Sequence, residues 1–245
     1  MTIEQSDAEF YETVVAKIDG WLEPFAAIRT MDILTFQEAR KMPGGLLEIG
    51  VFHGRYFSLL ARSAARTGAL VLGIDTFQYN DINIVRQMCA TYPSIGPADI
   101  SLWQRRSDAC SGEEIRRCLD GSPRFISIDG SHEKDIVYLD LKLTETLSNE
   151  NTLIALDDFL NPLTIGVNEA AHAFFASPRA IVPIAYMTNK LFLAHRVSSM
   201  MYKSAFEDFI VKDTSNAISE LFRQRREKSR GFVEQPLWGN HIIVV

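Results

Sequence analysis

Short apolar runs alternate along the chain with longer stretches of mixed polarity. Leu46–Ile49, Ala69–Ile74, Ile100–Trp103, Phe125–Ile128 and Leu153–Leu156 have the length and composition of buried strands, and helical sequence fills the intervals between them. This alternation predicts βαβ units and an α/β fold with a doubly wound, mostly parallel sheet. After His132, the residues Ile136, Leu139, Leu143 and Leu147 recur at steps of three or four, which predicts a helix laying that face on the sheet. Helix starts of the form Ser/Thr-x-x-Glu occur at Ser6 to Glu9, Thr35 to Glu38 and Ser111 to Glu114. Further on, "AIVPIAY" and "KLFLAHR" flank Met187, Thr188 and Asn189, a spacing that predicts an antiparallel hairpin at the sheet edge.

Past residue 197 the pattern weakens to an amphipathic stretch around Phe206 to Phe222, the charged segment "RQRREKSR" and a last apolar run, "HIIVV". Neither a repeat nor a linker divides the chain. The expected organisation over 1–245 is one domain: an N-terminal helical extension (1–43), a cofactor-binding core (44–197), and a C-terminal helical segment with a last strand (198–245). The segment "RQRREKSR" reads as a solvated helix end, with recruitment of an anionic substrate as the other option.

Composition narrows the function classes. With 47% hydrophobic and 23% charged residues the chain has the balance of a globular protein, and its net charge of -6 argues against tracking phosphate backbones. Nucleic acid is therefore not the expected partner. No apolar run approaches the roughly 20 residues that cross a bilayer, and the start "MTIEQSDAEF" is polar and acidic, so a cytoplasmic location is expected. Whether copies associate is left open. Cys89, Cys110 and Cys118 form no CxxC pair and predict free thiols.

The stretch "LLEIGVFHGRYF" (46–57) carries the first candidate chemistry. Gly50 and Gly54 fall in the turn between the first strand and its helix, where an open parallel sheet binds ligands. Neither Gly-x-Gly-x-x-Gly nor a phosphate-cradling GxxxxGK[ST] loop is present. Asp75 ends the next strand, about twenty residues after Gly54, a spacing suited to a carboxylate on ribose hydroxyls. Asp108, in "RRSDAC", follows the third strand and is placed to meet an exocyclic amine; both acids are also suited to capping helices. Of the aromatics here, Tyr56 and Phe77 are candidates for the pocket wall or the core, and His53 for a substrate contact or an exposed loop. His172, His195 and His241 have no partner at ligand spacing.

"FISIDGSHEKDIVYLDL" and then "LIALDDFLNP" place Asp129, Asp157 and Asp158 just past two strands expected to be neighbours. Converging carboxylates repel one another unless a cation lies among them, and hard oxygen ligands suit Mg²⁺ better than zinc. Capping of local backbone amides by these acids and by His132 is the plain alternative.

Together, LEIGVFHG, LGIDTF, SDA and the strand order resemble the class I S-adenosylmethionine-dependent methyltransferases. DGSH with DD is similar to the metal-dependent O-methyltransferases that act on sugar hydroxyls of natural products. The resemblance implies S-adenosylmethionine held by Glu48, Gly50, Gly54, Asp75, Thr76, Phe77, Ser107, Asp108 and Asp129. It implies Mg²⁺ on Asp129, Asp157 and Asp158, with Asp129 and His132 catalytic and His132 the base for a small-molecule hydroxyl. Catechol-type relatives have Asn at the last acid, so Asp158 departs from them. A metal-independent methyltransferase, a NAD-dependent oxidoreductase and a non-catalytic binding protein remain as alternatives.

Overall fold

The computed structural model describes residues 6–95 and 99–245; the polar start of the chain, 1–5, lies outside the described residues. Among the described residues nine strands form one sheet in the order β3-β2-β1-β4-β5-β7-β6-β9-β8. These are β1 (Leu46–Ile49), β2 (Leu70–Asp75), β3 (Asp99–Gln104), β4 (Phe125–Ile128), β5 (Leu153–Leu156), β6 (Ile181–Met187), β7 (Lys190–His195), β8 (Glu234–Leu237) and β9 (Asn240–Val244). The first five run parallel, and β7 pairs antiparallel with β5. The chain winds outward from β1 to β3, then returns to place β4 on the other side of β1. That reversal opens a crevice at the carboxyl ends of β1 and β4.

Side-chain alternation along these strands builds two cores. Leu46, Phe125 and Leu153 join one, together with Met31, Phe57, Leu60 and Tyr202 from α2 (Pro24–Ala39), α3 (Phe57–Thr67) and α8 (Ser199–Lys212). Their neighbours Leu47, Ile126 and Ile154 join the other, with Ile115, Leu141 and Val167 from α5 (Gly112–Cys118), α6 (Lys134–Leu147) and α7 (Ile165–Phe174). Strands buried on both faces have no polar side to show, which is why their sequences are continuous apolar runs. Among the described residues no helix is long and apolar enough to cross a membrane, and Cys89, Cys110 and Cys118 are free.

Several local expectations need correction. Ser6 caps α1 (Asp7–Thr13) and Ser111 makes a full capping box with Glu114, but Thr35 to Glu38 lies inside α2, which starts at Pro24. Glu38 is used elsewhere, accepting from Ser63 Oγ and Arg66 Nη2 at 2.5 and 2.9 Å. On α6 the buried side is Val137, Asp140, Leu141, Thr144 and Leu147, whereas Leu139 is 44% exposed. Two polar residues on that side disguise it in the sequence. The β6–β7 hairpin is internal, because β9 pairs with β6 and β8 closes the edge. The stretch 206–222 is two helices, α8 and α9 (Ala217–Lys228), with Asn216 capping the second. Arg226 and Arg230, in the charged segment, pair with Glu207 of α8.

Candidate active site

At the end of β1 the chain turns so tightly that only glycine fits. Gly50 has φ +86°, and a Cβ there would lie 2.0 Å from the Asp129 carbonyl oxygen. The loops after β1 and β4 therefore touch backbone to backbone, and the Asp129 amide donates to Ile49 O at 2.7 Å. Gly50→Ala is expected to cost about 3 kcal/mol or more, from clash and strained dihedrals together. Thermal unfolding checks this; an unchanged midpoint would show that the loops can part freely. Gly54 (φ +89°) has a different neighbour: a Cβ there would lie 2.6 Å from Met88 Cε of α4 (Ile82–Thr91), so it serves packing rather than the crevice.

Asp75, at the tip of β2, accepts from the amides of Val51 and Phe52 on Oδ2, both at 2.8 Å, and from Phe77 N on Oδ1 at 2.7 Å. A carboxylate has about four acceptor positions, so one remains on Oδ1. Thus Asp75 first shapes the loop after β1 and has capacity for a single further donor.

The crevice is a cavity of about 940 Å³. Glu48, Gly50, Asp75, Thr76, Asp129, His132, Asp157 and Asp158 line it, with Tyr56, Asn189 and Lys190. Its mouth is formed by Asp19–Glu23, by Tyr79 and by Leu160–Thr164. Gly54, Phe77, Ser107 and Asp108 are not among the lining residues. Phe77 is buried in the first core, and Asp108 is held by Arg106 through contacts of 2.9 and 2.7 Å. His53 stands 3.8 Å from Asp19, and His172 accepts from Trp238 Nε1 at 3.1 Å.

Inside the cavity the acids fall into three environments. Glu48 is 1% exposed, its Oε2 has no hydrogen-bond partner, and burial, then the Asp129 charge, raises its pKa well above the carboxylate range. Burial and then Asp157 do the same to Asp129. Asp157 meets a cation: Lys190 Nζ lies 2.5 Å from its Oδ2, with that lysine 3% exposed. Burial works against the Lys190 ammonium, but Asp157 and Asp129 outweigh it and hold the pKa above its ordinary value.

Asp158 sits where the backbone enters the left-handed region (φ 60°). Its Oδ1 accepts from Asn161 Nδ2 at 2.7 Å and Asn189 Nδ2 at 2.6 Å, and its Oδ2 lies 2.9 Å from His132 Nε2. Hydrogen bonding from His132 leads the causes that lower its pKa to about 2. The same contact raises the pKa of His132 against a smaller burial penalty. Behind His132, Gly166 in the first turn of α7 has no room for a side chain, since a Cβ there would lie 2.2 Å from the His132 carbonyl oxygen. Lys190, Asn161, Asn189 and Gly166 were not singled out from the sequence. Only the lysine opening an apolar strand was a usable signal.

The magnesium set expected from sequence, Asp129, Asp157 and Asp158, does not fit this arrangement. Asp157 already has an ammonium partner, and Asp158 is engaged by three side chains. Among the described residues one group offers metal-ligand atoms, all within 4.8 Å of one another: Asp129, His132 and Asp158. Its nitrogen donor suits a softer ion than Mg²⁺, and an ion there would have to separate His132 from Asp158.

A family described as "Methyltransferase domain" matches residues 47–159, from β1 through the Asp157–Asp158 pair. That stretch is similar to a methyltransferase domain. The chain has the Rossmann-like fold of solved O-methyltransferase structures. It is similar to the O-methyltransferase NovP, at 14% identity and TM-score 0.55 over 69% of this chain and 80% of that one. It is also similar to CalS11, a TDP-rhamnose 3'-O-methyltransferase of calicheamicin biosynthesis, at 15% identity and TM-score 0.53 over 71% and 81%. A third neighbour, the O-methyltransferase from Bacillus cereus in complex with SAH, shares 18% identity at TM-score 0.53 over 74% and 84%. No curated protein sequence matches the chain.

Proposed function

We propose that this chain is a methyltransferase that moves a methyl group from S-adenosylmethionine to a hydroxyl of a small molecule, with His132 as base and Asp158 as its orienting partner. The observation that carries this is the 2.9 Å contact of His132 Nε2 with a carboxylate that Asn161 and Asn189 hold in place, at the wall of a large cavity. When bound, S-adenosylmethionine supplies an electrophilic methyl on a sulfonium centre, and transfer leaves a neutral thioether. Glu48 and Asp129 suit the amino group of its methionine part, because the unpartnered Glu48 oxygen is a buried acceptor that awaits a donor. Asp75 has capacity for one ribose hydroxyl. Asp158 fixes Nε2 of His132, leaving Nδ1 to take the acceptor's proton.

The mouth describes the acceptor. Trp21, Tyr79 and Leu163 are 88%, 81% and 90% exposed there, an apolar rim that favours an acceptor with an aromatic or aliphatic body. A sugar or phenolic hydroxyl on a natural-product scaffold fits this rim and the O-methyltransferase neighbours.

Calorimetry with S-adenosylhomocysteine tests the cofactor half: binding is expected, and Asp75→Ala should weaken it about tenfold, as loss of a hydrogen bond to a charged group does. No binding to the wild type would overturn the proposal. An acceptor panel then tests the other half, by release of S-adenosylhomocysteine. The base must be neutral to accept a proton, so the raised pKa of His132 means that the rate climbs with pH through a midpoint above 6.5. A kcat/KM profile falling across that range would remove His132 as the base.

A further inference from the structure

We infer that Lys190 occupies the place of the divalent ion among the buried acids, so that methyl transfer by this chain requires no metal. The inference rests on the proposed function and concerns how the same site balances its charge.

Strand pairing puts the lysine there. β7 runs antiparallel to β5 with Leu191 opposite Leu156, so its first residue reaches the end of β5, where Asp157 begins the loop. The two-residue turn Thr188–Asn189, with φ 40° and 77°, fixes that register. It also delivers Asn189 to Asp158 and Lys190 to Asp157 from consecutive positions. Behind the ammonium lies the ring of Tyr56, 4.6 Å away, which is itself held by Thr30 Oγ1 at 3.0 Å. Lys190 is thus enclosed by Asp157 on one side and an aromatic face on another, with its charge directed at the acids.

A metal would have to compete with groups already in place. Ligation by Asp157 would bring a dication against a fixed ammonium, and like charges in a buried site repel strongly. Ligation by Asp158 would give up donors from Asn161, Asn189 and His132. The Asp129, His132 and Asp158 group meets the second obstacle in full and lies beside the first. Lys190 cannot act as a Lewis acid towards the acceptor. Its role is that of a positioning residue, holding Asp157 and the β5 loop so that Asp158 presents His132.

Mn²⁺ is a suitable probe because it accepts both oxygen and nitrogen donors. The full chain, stripped with EDTA and saturated with S-adenosylhomocysteine, is titrated while the electron paramagnetic resonance signal of free Mn²⁺ is followed. The wild type is expected to leave that signal unchanged into the millimolar range. Lys190→Ala, which removes the ammonium and frees space beside the acids, is expected to bind Mn²⁺ at least about tenfold more tightly and to unfold at a higher temperature in its presence. Stoichiometric binding of Mn²⁺ by the wild type would overturn the inference, and so would a folded Lys190→Ala that binds no more than the wild type. If that variant does not fold, the wild-type titration decides alone. Calorimetry of S-adenosylhomocysteine on the same sample separates the outcomes, since its failure removes the cofactor reading and leaves the metal result standing.

Discussion

Asp158→Asn is expected to slow methyl transfer by about a hundred- to ten-thousand-fold, the usual worth of a positioned acid-base group. The asparagine keeps the size of the side chain, and its carbonyl can still accept from Asn161 and Asn189. What changes is the group facing His132: an amide can donate to Nε2, which forces the proton to Nδ1 and leaves no basic nitrogen for the acceptor. Any residual activity should also titrate lower, because the hydrogen bond that His132 donates to Asp158 is the leading cause of the raised His132 pKa. Affinity for S-adenosylhomocysteine should hold within about twofold, since the side chain is engaged by His132, Asn161 and Asn189. A rate near wild type, measured against the same acceptor across the pH range, would show that the histidine contact is structural.

Lys190→Met should lower stability by about 3 to 5 kcal/mol near neutral pH, the typical result of removing one partner from a buried ion pair. Methionine fills the space of the lysine stem but leaves Asp157 without a cation, beside Asp129 and Glu48, whose pKa values are already raised. The pH dependence has a definite sign. Unpaired buried carboxylates have folded-state pKa values above those of the unfolded chain, so the stability they permit is present at acid pH and lost as pH rises through the raised values. The gap between variant and wild type should therefore narrow as pH is lowered from 7 towards 5. Thermal unfolding at several pH values measures it; a pH-independent gap would assign the cost to packing alone.

Much of the framework was legible because a doubly wound sheet hides few polar residues in its strands. β1, β4 and β5 are fully buried and read as apolar runs, and the acids that follow them had to gather at one edge. By contrast, β8 ("EQPL") is half-buried or exposed and gives no signal, so the pattern puts the hairpin β6–β7 at an edge that lies two strands further out. Within the site, adjacency misled. Asp157 and Asp158 look equivalent in sequence, yet the left-handed backbone at Asp158 sends them to different partners. Lys190 is ambiguous in the sequence for another reason. A lysine at the start of a strand ordinarily reaches solvent, and what buries this one lies 33 residues earlier at Asp157 and 61 earlier at Asp129. The need for a cation was readable; that the chain itself supplies it depends on an antiparallel pairing that local pattern does not specify.

The first residue of β7 lies beyond the matched region, which ends at residue 159. During synthesis, a ribosome that has released everything up to Phe159 has delivered the acids of the site but not the amine that accompanies them. Such an intermediate has reason to stay open or protonated until the hairpin arrives, and a fragment cut after the matched segment would inherit the same predicament. Excising the matched segment for engineering would therefore yield a scaffold whose centre repels itself.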